Sequence, residues 1–462
     1  MLQKNIHISP QTLATEKIGK LLFQFALPAI IATTATSLYN ITNSIFIGRT
    51  IGAIAVSALG IAFPIMNLIA AFGSMVGIGA SSLLSLKTGE KKEKDASLIL
   101  GNVVTTNFFL GTLILIIGLY FLDEILLLFG ASEQTLPLAR NFMRILLMGN
   151  VITHLYWGLN EMMRANGFPL KAMNIILISV IANGILNAIF LFGFGWGIAG
   201  SALAIVLSQT GALVVEIIHF CRKKHPIYFK KESFRINLSL TKHIFSIGAA
   251  SFFVKIGACM IAFFINNILK IYGGDLYIGA YNIVNRIMIL FIMIVVGLNQ
   301  GMQPIVGYNY GAKNMHRVWD TLKTTIICGT IITSIGFVVA EFFPTQIATL
   351  FVKSEINNQN LELIRITKEA LQIIFIAFPF IGFQIVTSNF FQYINKPQKA
   401  IFLSLSRQII FLIPLLLFLP QTFGHKGVWM SIPIADSLSV LATFVFFLQQ
   451  QKQFTSPKTK FL

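Results

Sequence analysis

The chain has 462 residues, 55% hydrophobic and 11% charged, with a net charge of +18 and a mean hydropathy of +0.76. Soluble domains carry closer to a quarter charged residues, so this composition excludes a water-soluble globular protein and makes lipid the main solvent. The positive charge, which in a soluble chain points to nucleic acid, falls mostly in alternate loops, the pattern that marks the cytoplasmic side of a membrane protein, and no nucleic-acid partner is expected.

A spanning helix needs about 20 apolar residues, because unpaired backbone groups cannot be left in hydrocarbon. Such runs are expected near 21–47, 54–86, 97–122, 141–163, 172–193, 198–221, 243–271, 276–308, 320–343, 369–394, 399–419 and 427–449. They leave no room for a separate soluble domain, and the short alternating segments of a β-barrel are absent. The first run is long and lacks a small-residue cleavage site, so it reads as a spanning helix and not as a signal peptide. Cys221, Cys259 and Cys328 lie in or beside apolar runs with neither metal nor disulfide spacing, and no metal or other cofactor is expected.

Basic clusters follow even-numbered helices: Lys87, Lys91, Lys92 and Lys94, then Arg164 and Lys171, then the long run Arg222 to Lys242. This pattern puts the even connections and both termini in the cytoplasm. It divides the chain into a six-helix lobe over 1–221, a basic connection over 222–242 and a second six-helix lobe over 243–462. The halves echo one another. A shift of 222 residues aligns Ala58 with Ala280, Met66 with Met288, Gly79 with Gly301, Gly89 with Gly311 and Lys91 with Lys313. At a slightly larger offset Pro169, Lys171 and Ala172 align with Pro397, Lys399 and Ala400. An even number of helices per repeat keeps both copies in one orientation, and such repeats put a binding cavity at the interface of two bundles that rock against each other.

A charge at mid-membrane costs about 2.5–3.5 kcal/mol on insertion scales, so each one needs a reason. Asp436 lies in the last helix after Pro433, whose missing N–H leaves a carbonyl free one turn back. It reads as a protonatable coupling carboxylate or as the structural partner of Arg407 in the preceding helix, and the two readings are compatible. His154 and Glu161 share one face of the fourth helix around Trp157, as a proton relay or as a locally paired Glu beside Arg164. Lys255 has no acidic neighbour in sequence and must pair across helices or meet an anionic substrate group. Arg286, after Asn282 and Asn285, suits hydrogen bonding. Glu216 and Glu341 sit near helix ends, where water is expected to reach them. Asn40 and Asn43 on the first helix, and Asn183 and Asn187 on the fifth, either line a cavity or tie helices together. Pro28 marks a bend in the first helix.

These residues also carry a family pattern. The stretch from Gly297 through Gln303 and Pro304 to Lys313 closely resembles the eighth-helix signature of the MATE (multidrug and toxic compound extrusion) transporters. Arg164 to Met173 resembles their fourth-to-fifth connection, and Leu38 to Gly48 their first-helix motif. Arg407 to Pro414 and Gly427 to Asp436 are similar to the MepA-like branch. The resemblance covers nearly the whole chain. It implies an all-α fold of twelve transmembrane helices in two V-shaped lobes. It also implies export of bulky organic compounds, cationic drugs among them, in exchange for protons or sodium. The family usually carries Asp where this chain has Asn43 and Asn187, and the acids of its second-lobe sodium site are missing as well. Coupling is therefore expected at Asp436 with Arg407, or at Glu161, with the proton preferred to sodium. His154, Lys255, Arg286, Gln303 and the four asparagines are expected to line the cavity. The sequence leads to a monomeric, non-enzymatic exporter of the bacterial inner membrane. The alternatives are a flippase for a lipid-linked precursor, or an uncoupled or non-transporting membrane protein.

Overall fold

The computed structural model describes residues 8–51, 53–223, 225, 227–351 and 358–455. Twelve long helical segments follow in order: α1 (Ile18–Thr50), α2 (Ala53–Gly89), α3 (Glu93–Tyr120), α4 (Leu136–Met148, then Asn150–Ala165), α5 (Pro169–Ala188, extended by π-helical Ile189–Gly193) and α6 (Gly197–Cys221). The second half contains α7 (Leu238–Tyr272), α8 (Asp275–Gly311), α9 (Met315–Phe342), α10 (Asn358–Ile374 and Phe378–Tyr393), α11 (Pro397–Leu405, π-helical Ser406–Leu412, then Ile413–Phe423) and α12 (His425–Thr455). No strand occurs among the described residues. Helices satisfy every backbone group internally, which hydrocarbon demands.

Eleven of these segments are long and apolar enough to cross a membrane. The exception is α4, which carries Arg140, Arg144, His154, Glu161 and Arg164. Its polar stripe has to face other helices, and His154, Asn160, Glu161 and Arg164 are all buried. Conversely, Phe108, Phe109 and Ile116 of α3, Ile327, Ile331 and Ile335 of α9, and Leu441 and Phe444 of α12 are exposed, as lipid-facing rows should be. α1 passes through Pro28 as a continuous helix. α10 starts earlier than the hydropathy pattern indicates and includes Glu362 and Glu369, and Glu369 pairs with Lys426 at the start of α12 at 3.2 Å.

The repeat is visible in the backbone of the turns. Lys91 and Lys313, the second residues after the matched glycines, both adopt a left-handed φ of 59°, and Asn395 does so where the first half has Gly167 at 85°. The bonding repeats with it: Lys92 N donates to Lys87 O at 3.0 Å, and Asn314 N to Asn309 O at 2.8 Å. Likewise Phe168 N donates to Met163 O at 3.1 Å, and Lys396 N to Phe391 O at 2.9 Å. These bonds cap the helix ends in the same way in each half.

The two bundles meet along a seam of backbone-to-backbone contacts, α7 on α2 and α8 on α1. A Cβ at Gly89 would overlap the Tyr308 carbonyl, and one at Gly311 would overlap the Leu86 carbonyl, a reciprocal pair under the 222-residue shift. Gly79 and Gly248 abut in the same way that Gly301 abuts Ala26. Small residues let helices approach this closely, which is how helices associate without a hydrophobic drive between them. Gln303 fixes the seam, its Nε2 donating to Ser81 Oγ at 2.5 Å and Ser82 Oγ at 2.9 Å. Thr33 Oγ1 adds a bond to Met293 O at 3.2 Å. These cross-bundle bonds lie between mid-depth and the end that carries the basic connections. Toward the other end Leu38, Ile54, Phe63 and Phe263 are exposed.

The connection after α6 is mostly exposed, but Ile227 and Ser233 are buried against the first bundle. Phe229 N donates to Phe220 O at 2.9 Å, and Ile227 joins the apolar cluster at the basic end of the first bundle. Asn102 of α3 donates to the carbonyl of Arg235 at 3.2 Å and accepts from Asn237 N at 2.9 Å.

Candidate ion and substrate site

The polar residues singled out from the sequence gather in three places. In the second bundle, Arg407 Nε donates to Asp436 Oδ1 at 2.7 Å. Arg407 stands on the π-helical stretch of α11, where Pro414 supplies no N–H to the carbonyl one turn back and the helix widens. Asp436 is 3% exposed. Its Oδ2 is buried without a hydrogen-bond partner. The ion pair expected from the sequence is therefore present, with one carboxylate oxygen left over.

In the first bundle Asn43 Oδ1 accepts from Asn187 Nδ2 at 3.0 Å and from Ser201 Oγ at 2.7 Å. Asn187 Nδ2 also donates to Asn183 Oδ1 at 3.0 Å, and Asn183 Nδ2 to Ser208 Oγ at 3.2 Å. Three helices are joined by this neutral amide cluster. The side chain of Asn40 lies outside the described residues.

The third place is the seam at mid-depth. Lys255 of α7 reaches across to α2, donating to Ala70 O at 3.3 Å and to Ser74 Oγ. His154 meets the same helix, its Nε2 lying 3.2 Å from Ile69 O. The glycines on that face of α2 make room: Gly73 lies against the His154 ring and Gly77 against Glu161. Glu161 pairs with Arg164 at 3.4 Å, and both are buried, so the glutamate does not reach solvent. Gln303 is spent on the α2–α8 bonds described above. Arg286 stands apart, exposed on α8, and among the described residues it forms no ion pair.

One expectation is overturned. Glu216, assigned to a solvated helix end, is 0% exposed. Its Oε1 accepts from Asn160 Nδ2 at 2.9 Å. The connection folding up beneath Phe220 removes the water that a helix end would normally have. Asn160, Ser201 and Ser208 are the other site residues that the sequence reading passed over. Asn160 shares a face with Arg164 only through the i, i+4 geometry of α4, a signal too common to single out.

Two six-helix halves meeting at a close seam with buried charges on both sides are the arrangement of a duplicated membrane transporter. The chain belongs to the MatE family, whose model matches it twice, over residues 28–189 and 250–417. It is 26% identical to multidrug export protein MepA of Staphylococcus aureus over 436 residues, 93% of each chain. The MATE multidrug transporter DinF-BH, solved as a complex, is 32% identical with a TM-score of 0.88, covering 98% of this chain and 100% of that one. A MOP superfamily transporter from Pyrococcus furiosus, described as having a binding pocket of reverse polarity that suggests a different function, has the same fold. Its TM-score is 0.91 at 22% identity, with 98% of this chain and 100% of that one covered.

Proposed function

We propose that this chain exports bulky organic compounds across the bacterial cytoplasmic membrane by proton antiport, with alternating access between the two bundles. The multidrug relatives support the cargo class. The basic connections, retained on the cytoplasmic side by the usual rule, support a cytoplasmic position for both termini. The cross-bundle bonds then close the cytoplasmic half and leave the outer half free to release cargo.

The observation that carries the coupling is the buried Arg407–Asp436 pair with Asp436 Oδ2 unpartnered. A proton arriving at Oδ2 cancels the carboxylate charge and frees the guanidinium, so α11 and α12 have two arrangements that differ by one proton. The amide cluster of Asn43, Asn183 and Asn187 takes up no proton and serves as a fixed tie between helices.

The test is ethidium flux in proteoliposomes under an imposed pH gradient, native chain against Asp436→Asn. Flux driven by the gradient and abolished in the variant supports the reading. Native flux that ignores both proton and sodium gradients overturns antiport. A second reading, anionic cargo, is favoured by Lys255 at the seam and by the neutral Asn43 and Asn187. Competition of organic anions against ethidium separates the two.

A further inference from the structure

We infer that Glu216 is a reversible proton-binding site of the first bundle, read out at the bundle seam through Asn160, Arg164 and Glu161. Glu216 is 0% exposed, and among the described residues no ion pair includes it. Asn160 is its hydrogen-bond donor, at Oε1, and Oε2 is buried with no partner. A carboxylate anion in such a place is costly, and a proton on Oε2 removes that cost.

The surroundings supply both a route and a reader. One turn on from Glu216 toward the basic end lies His219, also buried. Its Nδ1 is 2.7 Å from Lys171 Nζ on α5. The ring of His225, in the connection, stacks on it at 4.1 Å. When Glu216 gives up its proton, the Oε2–H bond breaks and the proton is taken up by water at the basic end, on the side where His219 and His225 lie. On the other side Asn160 touches Arg164 as well, its Oδ1 accepting from Nη2 at 3.3 Å, and Arg164 in turn holds Glu161. With the proton on, Arg164 belongs to Glu161. With it off, the Glu216 anion draws Arg164 inward, and the Glu161 charge is left facing α2 beside Gly77, opposite the helix that carries Lys255.

The titratable and charged groups around Glu216 are Tyr156, Glu161 and Arg164 from α4, Lys171 from α5, His219 on α6 itself and His225 of the connection. α1 approaches α6 at the other end, through the neutral Asn43–Ser201 bond.

This inference rests on the proton-antiport reading only for what the bound proton drives; the site does not depend on Asp436. The experiment is infrared difference spectroscopy of the full chain in proteoliposomes between about pH 5 and about pH 9, spanning the ordinary carboxylate and imidazole values. The native spectrum should contain a protonated-carboxyl stretch that Glu216→Gln lacks, that Glu216→Asp shifts, and that Asp436→Asn retains. A Glu216→Gln spectrum that superimposes on the native one overturns the site. If the Gln variant does not fold, an unmoved band in Glu216→Asp overturns it equally. Native flux indifferent to the pH gradient, with the Glu216 band present, sinks antiport and leaves the site standing.

Discussion

Breaking the Arg407–Asp436 pair from either side should have unequal costs, because the two side chains differ in burial. The Arg407 side chain is 18% exposed and that of Asp436 4%. Arg407→Met keeps most of the stem and removes the charge, stranding the carboxylate, and a buried pair broken in this way costs about 3–5 kcal/mol. Asp436→Asn leaves Arg407 a neutral acceptor and partial solvent, so its cost is nearer that of one weakened hydrogen bond, about 1–3 kcal/mol. The double variant has no stranded charge and should resemble the milder single variant. A double-mutant cycle on equilibrium unfolding in mixed micelles therefore expects a coupling energy of about 3–5 kcal/mol, the cost of the worse single change, Arg407→Met. Additivity within about 0.5 kcal/mol would refute the claim that the two charges hold each other in a dry site.

Gly311→Ala should destabilise by about 1–3 kcal/mol, because the new methyl meets the Leu86 carbonyl, whereas Gly60 opens onto free space and Gly60→Ala should be neutral or stabilising by about 1 kcal/mol. Equal unfolding shifts at the two positions would contradict a backbone-on-backbone seam. At the basic end, burial works to raise the Glu90 carboxyl, but its ion pairs with Lys92 and Lys87 outweigh that and hold it below the ordinary carboxylate value. A depressed value contributes stability above the unfolded-state pKa that disappears as pH falls through the folded one. Glu90→Gln should flatten that acid-side slope by no more than about 1 kcal/mol, read as the melting temperature against pH.

The fold was legible because lipid imposes long apolar runs, and because the duplicated glycines and the lysines of the turns survive as recognisable pairs. α4 was legible as a helix with a polar face even though its hydropathy falls short. The Arg407–Asp436 pair was legible too, since two opposite charges on adjacent helices at similar depth have few other places to go. Glu216 was not. Its position five residues before the end of α6 suggests water, and only the return of Phe229 and Ile227 beneath the helix removes it. The partners of Gln303 were not legible for a related reason. A polar residue in a spanning helix looks the same in sequence whether it faces a cavity or a neighbouring helix, and here Ser81 and Ser82 decide the matter.

The segment between α6 and α7 is at once the hyphen between two half-proteins and the floor of the first. Co-expressing the halves as separate polypeptides would then be a question of where the cut falls. A nick beyond Asn237 leaves the floor attached and permits reassembly. A nick between Cys221 and Ile227 lets water up to the inner end of α6, and the first half loses its dry interior before it ever meets the second.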